Sequence, residues 1–123
     1  FGAGKISIQI GPEGFRKWKE TAADMPVCIV DAETRHMKPE DAYRTVYNLA
    51  AQAREAGIQY VYKKTDSALR GNVGSELSAV LEAYGAPRLF FAPAFPKMRR
   101  ITRGGVHYID GIPGGADFAA RLL

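Results

Sequence analysis

Three short apolar runs, Val27-Cys28-Ile29-Val30, Ile58 to Tyr62 and Leu89-Phe90-Phe91-Ala92, are separated by stretches with helical periodicity, and this alternation constrains the fold more than any other feature. Such runs, rich in β-branched and aromatic residues, are expected of strands buried on both faces of a parallel sheet. Lys5 to Ile10 reads as an earlier strand, ending at Gly11-Pro12, where a helix opens and runs to about Ala23. From Pro39 to Ala56 the apolar residues recur at three- and four-residue steps, with Glu40 and Asp41 in the first turn and Gly57 just past the end. Val73 to Tyr84 reads as a further helix, with Asn72 as its N-cap and Gly85 as its stop. After a Pro- and Arg-rich loop, His107-Tyr108-Ile109-Asp110 is a short strand, and Asp117 to Leu123 starts a last helix. The pattern predicts βαβ units: an α/β fold, three-layered, with a mostly parallel sheet and helices on both faces.

A chain of 123 residues accommodates one such domain or part of one. It starts at Phe1 rather than Met, as expected of a piece of a longer polypeptide, and we treat residues 1–123 as a single partial domain. With 46% hydrophobic and 24% charged residues, the composition excludes a disordered tail, a collagen-like repeat and a disulfide scaffold. Cys28 is the one cysteine, which excludes an internal disulfide and makes a cytoplasmic setting the default expectation. No apolar run approaches the roughly 18 residues needed to span a bilayer, so no membrane partner is expected.

The net charge of +4 is not spread evenly. Residues 60–110 hold eight Lys/Arg against four Asp/Glu, whereas residues 1–59 hold eight of each. A local cationic surplus points to an anionic partner or to a solvated basic face. The basic residues sit among Gly, Asp, Ser and Asn rather than spaced aromatics, and no nucleic-acid module is recognisable, so a small carboxylate or phosphate is the better fit.

In an open parallel sheet, ligands bind beyond the carboxyl ends of the strands. The loops there carry Asp31 to His36, Lys63 to Asn72 and Pro93 to Gly105. Within Lys64-Thr65-Asp66-Ser67-Ala68-Leu69-Arg70-Gly71-Asn72, Arg70 offers a planar fork for an oxyanion and Lys64 a point charge. Asp66 is the odd negative group, suited to accept hydrogen bonds from a polyol or a proton from a hydroxyl. The alternative is that Asp66 pairs with Arg70 four residues on while Asn72 caps the helix. Arg35 offers a second grip, and His36 and His107, without HxxxH or CxxC spacing, read as structural or hydrogen-bonding residues. Gly2-Ala3-Gly4-Lys5-Ile6 looks like a phosphate loop but lacks the Ser/Thr after Lys; GxGxxG and GxSxG are absent.

Four blocks, Asp31-x-Glu33-Thr34-Arg35-His36, Tyr62-Lys63-Lys64-Thr65-Asp66-Ser67-Ala68-Leu69-Arg70-Gly71-Asn72-Val73-Gly74-Ser75-Glu76-Leu77, Ala92-Pro93-Ala94-Phe95-Pro96 and Arg103-Gly104-Gly105-x-His107-Tyr108-x-Asp110-Gly111-x-Pro113, resemble in order the N-terminal domain of the four-carbon acid sugar kinases. The resemblance implies an ATP-dependent kinase that phosphorylates threonate, erythronate or an oxo-tetronate, with ATP and Mg held by a separate C-terminal domain and the acid sugar by this one. It implies acid-sugar contacts at Arg35, Lys64, Asp66, Ser67, Arg70 and Asn72, with Asp66 a candidate base. The chain departs from the family at its opening, where an Asp-Asp-x-Thr-Gly strand is expected, so the sheet is expected to be incomplete at the N-terminus and the chain inactive alone. Arg99 stands where the family has Gly, and after Pro113 the likeness ends. The competing reading is a non-enzymatic module that binds a small anion or acid sugar. An uncovered sheet edge also makes homo-oligomer formation an expectation.

Overall fold

Helices α2 (Pro39–Glu55) and α3 (Val73–Tyr84) pack side by side as the main body of the chain. A computed structural model describes residues 6–21 and 27–114. Helix α2 turns Ala42, Val46, Ala50 and Ala53 inward, α3 turns Val73, Leu77, Ala79 and Ala83 inward, and small side chains in both stripes let the helices approach. Arg54 of α2 donates to the carbonyl of Ala83 at 3.0 Å, satisfying a group at the carboxyl end of α3. Tyr43 of α2 donates to Glu82 of α3, and that bond to a carboxylate pushes the phenol up to about 12. Gly85 ends α3 as expected, with φ at 62° and its N–H bonded to the carbonyl of Glu82 at 3.0 Å.

Strands β1 (Ile6–Ile10) and β2 (Val27–Asp31) pair in parallel, Ile8 opposite Ile29, and α1 (Gly11–Thr21) connects them. The α1 side chains of Phe15 and Trp18 stack at 5.5 Å and pack with Cys28, Val30, Leu49, Ala53 and Ile58. One face of the sheet is therefore covered. The other presents Ile8, Ile10, Val27 and Ile29 to solvent, so β2 is not buried on both faces as its composition predicts: Val27 and Ile29 are 47% and 49% exposed.

Among the described residues the parallel sheet has two strands, not the larger number expected. Ile58 to Tyr62 and Leu89 to Ala92 run outside any ladder, with Tyr60 and Tyr62 89% and 90% exposed and Phe90 fully so. An apolar run shows that a segment suits a sheet, whereas the ladder needs a neighbouring strand, and among the described residues β2 pairs with β1 alone. The segment at Ile58 is held instead by its own carbonyl, which accepts from the Tyr84 hydroxyl at 3.0 Å.

The second sheet is antiparallel: β3 (Arg100–Arg103), β4 (Val106–Ile109) and β5 (Ile112–Pro113) in that order. Strand β3 lies in what reads as a basic loop. Its turn is Gly104-Gly105, both at positive φ, the two-residue connection that a hairpin favours. The described fold is thus α/β, with a two-stranded parallel and a three-stranded antiparallel sheet. The helix expected over Asp117 to Leu123, the end of the first helix at Ala23, and Gly2 to Lys5 lie outside the described residues.

Candidate functional site

The chain leaves β2 through Asp31, whose Oδ1 accepts from the N–H of Glu33 at 3.1 Å, and enters a single 3-10 turn, Thr34–His36. Thr34 is buried; Arg35 and His36 face solvent. The segment between α2 and α3 meets this turn, and the Asp66 carboxylate is where they join. Its Oδ2 accepts from the N–H groups of Ala68 at 3.1 Å and Arg70 at 3.2 Å and from Arg70 Nε at 2.9 Å. Its Oδ1 accepts from Arg70 Nη2 at 2.8 Å and Arg35 Nη2 at 3.3 Å. The Arg70 side-chain bonds, helped by the Arg70 and Ala68 N–H groups, hold the Asp66 carboxyl well below the usual carboxylate range despite partial burial. The same bonds raise the Arg70 guanidinium.

Gly71 has φ at 89°, and a Cβ there would lie 3.2 Å from Cγ of Arg35 and 3.3 Å from its carbonyl oxygen. A side chain is disfavoured twice, by the positive φ and by the tight approach to the turn carrying Arg35. Leu69, at φ 58°, holds a left-handed conformation without glycine's freedom, a strained position inside the loop that closes on Asp66.

Asn72 does not cap α3 with its side chain. Its Nδ2 donates instead to the carbonyls of Thr34 and Met37, both at 2.9 Å, tying the start of α3 to the turn after β2. The first N–H groups of α3 open onto a hollow of about 400 Å³ lined by Pro39, Gly71, Asn72, Val73, Gly74 and Ser75. A second hollow, of about 340 Å³, lies against Tyr47, Ala51, Arg54, Glu55 and Ala83 and includes none of the expected site residues.

Ser67 is reached from the second sheet. Its carbonyl can only accept, so His107 Nε2 donates to it at 2.9 Å, and Nδ1 of the ring forms a hydrogen bond with the Thr102 hydroxyl at 3.3 Å. His107 is buried and so fills the hydrogen-bonding role expected of it, whereas His36 is exposed. The structure therefore gathers Arg35, Asp66, Ser67, Arg70, Gly71 and Asn72 around one loop, with Lys64 exposed two residues before Asp66.

Glu76 was not among the expected site residues. Its carboxylate is buried where Thr34 Oγ1 donates to Oε1 at 2.6 Å and Lys63 Nζ pairs with Oε2. The signal for it was an acidic residue on the apolar stripe of α3, between Val73 and Leu77. Chemically, the corner combines fixed guanidinium groups and helix N–H groups, with an exposed lysine nearby in sequence, and is suited to an oxyanion.

The chain is 39% identical over 109 residues to a D-threonate kinase of Cupriavidus necator, covering 88% of this chain and 24% of that protein. A D-threonate kinase of Salmonella typhimurium is 29% identical over 119 residues, 91% of this chain and 28% of the relative. A D-erythronate kinase of Heliobacterium modesticaldum is 36% identical over 88 residues, 71% of this chain and 20% of the relative. The chain thus spans between 20% and 28% of the length of these relatives. Residues 2–121 match the family model of a sugar-binding N-terminal domain, and the chain belongs to that family.

Proposed function

We propose that this chain is the acid-sugar-binding part of an ATP-dependent kinase that phosphorylates a hydroxyl of a four-carbon sugar acid, and that it is inactive by itself. The observation that carries the reading is the Arg35–Asp66–Arg70 cluster, with Lys64 exposed two residues before Asp66, in a chain whose relatives are D-threonate and D-erythronate kinases.

In this reading the sugar-acid carboxylate takes Lys64 and the guanidinium N–H groups that Asp66 leaves unused. Arg70 has five such donors, and Asp66 takes two of them. Asn72, Ser67 and the first turn of α3 lie beside the hydroxyl end. Asp66 orients the two arginines. A carboxylate held so far below its ordinary range is a weak proton acceptor, so its candidacy as base on the attacking hydroxyl is the weaker of its two roles.

In this reading ATP and Mg belong to the remainder of the enzyme, and no step of this chain's own work is routed through them. No described helix is long and apolar enough to cross a membrane. Self-association would use the open face of Ile8, Ile10, Val27 and Ile29, and light scattering across a concentration series tests it.

The test of the main reading is thermal unfolding of the chain with D-threonate, D-erythronate, acetate and phosphate. A ligand at about 100 times its dissociation constant adds about 2.7 kcal/mol to the folded state. Stabilisation by a four-carbon acid and not by acetate or phosphate is expected. Equal shifts with all four would indicate a general anion site and remove the sugar-acid assignment.

A further inference from the structure

Two of the proposed ligand cations, Arg35 and Lys64, share an arrangement: each directly follows a residue that Glu76 holds. Thr34 donates to Glu76 Oε1 at 2.6 Å and Lys63 pairs with Oε2, so both carboxylate oxygens are engaged by residues one position before a cation. Glu76 and Thr34 are each 6% exposed, whereas Arg35 and Lys64 face solvent. One buried carboxylate on α3 therefore fastens the two segments that deliver positive charge to the site.

The consequence is sharpest at Lys63-Lys64. Two adjacent lysines are chemically equivalent candidates for an oxyanion. Glu76 breaks the equivalence, because an anion in a poorly solvated position attracts a cation more strongly than one in water, and the attraction offsets its desolvation only if the partner stays in place. Lys63 meets that need: its side chain is 24% exposed, and its Nζ also donates to the carbonyl of Lys64 at 3.2 Å.

We infer that Glu76 is a positioning residue that decides which of the two lysines is presented to the acid sugar, by drawing Lys63 inward and leaving Lys64 free to bind. The inference rests on the sugar-acid reading, and its effect on affinity passes through Lys64 and Arg35 rather than through contact with the ligand.

The experiment is calorimetric titration of D-threonate and D-erythronate into the full chain, its Glu76→Gln variant, and both of these carrying Lys64→Met, each far below its unfolding temperature. Glu76→Gln is nearly isosteric and keeps an acceptor for Thr34 while losing the charge that holds Lys63. The expected result is a dissociation constant about tenfold or more weaker, in keeping with misplacement of a binding group. Lys64→Met should also cost less affinity in the Glu76→Gln background than in the parent, because the two act as one unit. A merely structural role would lower the unfolding temperature and leave both readings unchanged, and that outcome overturns the inference. Where Glu76→Gln shows no cooperative unfolding, Glu76→Gln with Lys63→Met leaves no buried charge without a partner and no competing lysine, so Lys64→Met in that background should cost as much affinity as in the parent, and a smaller cost would overturn the inference. Failure of the parent chain to bind either acid would instead overturn the sugar-acid reading itself.

Discussion

Asp66 and Arg70 meet fork to fork, Nε on Oδ2 at 2.9 Å and Nη2 on Oδ1 at 2.8 Å, closing a loop of four residues on its own carboxylate. Asp66 is 11% exposed and Arg70 67% exposed, so solvent screens one side of the pair. Asp66→Asn is expected to cost about 1 kcal/mol at neutral pH. The carboxyl is depressed in the folded chain from an ordinary value of 3.8, so its contribution is complete above that value and is lost as pH falls below it towards the folded pKa. Thermal melts of parent and variant across pH should show a gap that is constant near neutrality and narrows in acid; a gap that widened in acid would refute the assignment.

Gly71 is packed against the turn that carries Arg35. Gly71→Ala is expected to destabilise the chain by about 1–2 kcal/mol, through the positive φ and the 3.2 Å approach to Cγ of Arg35. It should also weaken D-threonate binding, because relief of that contact moves Arg35. Denaturant titration and calorimetry on the same variant check the two effects.

Asn72 offers a choice between two explanations of one residue. As a helix cap it would be replaced by Ser with little loss. As a bridge from its Nδ2 to the carbonyls of Thr34 and Met37 it would not, because Ser lacks a donor that reaches both. We expect Asn72→Ser and Asn72→Ala to be destabilised alike, by about 1–2 kcal/mol, in chemical denaturation.

Arg99 occupies a left-handed position, φ 55°, where Gly is unstrained. Its compensation is an exposed ion pair to Asp110 at 3.2 Å, worth little in solvent. Arg99→Gly should therefore raise stability slightly, by about 0.5–1 kcal/mol, read as a higher unfolding temperature.

Local chemistry was legible where it is decided within a turn or two of chain. Helix α2 followed from its periodicity and first-turn acids, and α3 from its period and Gly85. The loop from Lys64 to Asn72 stood out by its density of functional groups. What stayed hidden depends on distant partners. Tyr60, Val61 and Phe90 have the composition of sheet residues, but among the described residues no strand forms a ladder with them. Glu76 and His107 bear on the site through residues 42 and 40 positions away, a relation that only the folded chain makes visible. Strand β3 was masked by Arg100 and Arg103, although the Gly104-Gly105 pair was a usable hairpin signal.

The bond from His107 to the Ser67 carbonyl also makes the loop after Lys64 depend on the second sheet. The carbonyl that His107 engages belongs to the residue directly after Asp66, and the two bonded residues are 40 positions apart. Helices α2 and α3 have ties of their own in Tyr43 to Glu82 and Arg54 to Ala83, so loss of the β3–β4 hairpin would spare those ties and strip the Ser67 carbonyl of its His107 partner. The antiparallel sheet thus serves as a buttress for a loop that belongs to the helical half of the chain.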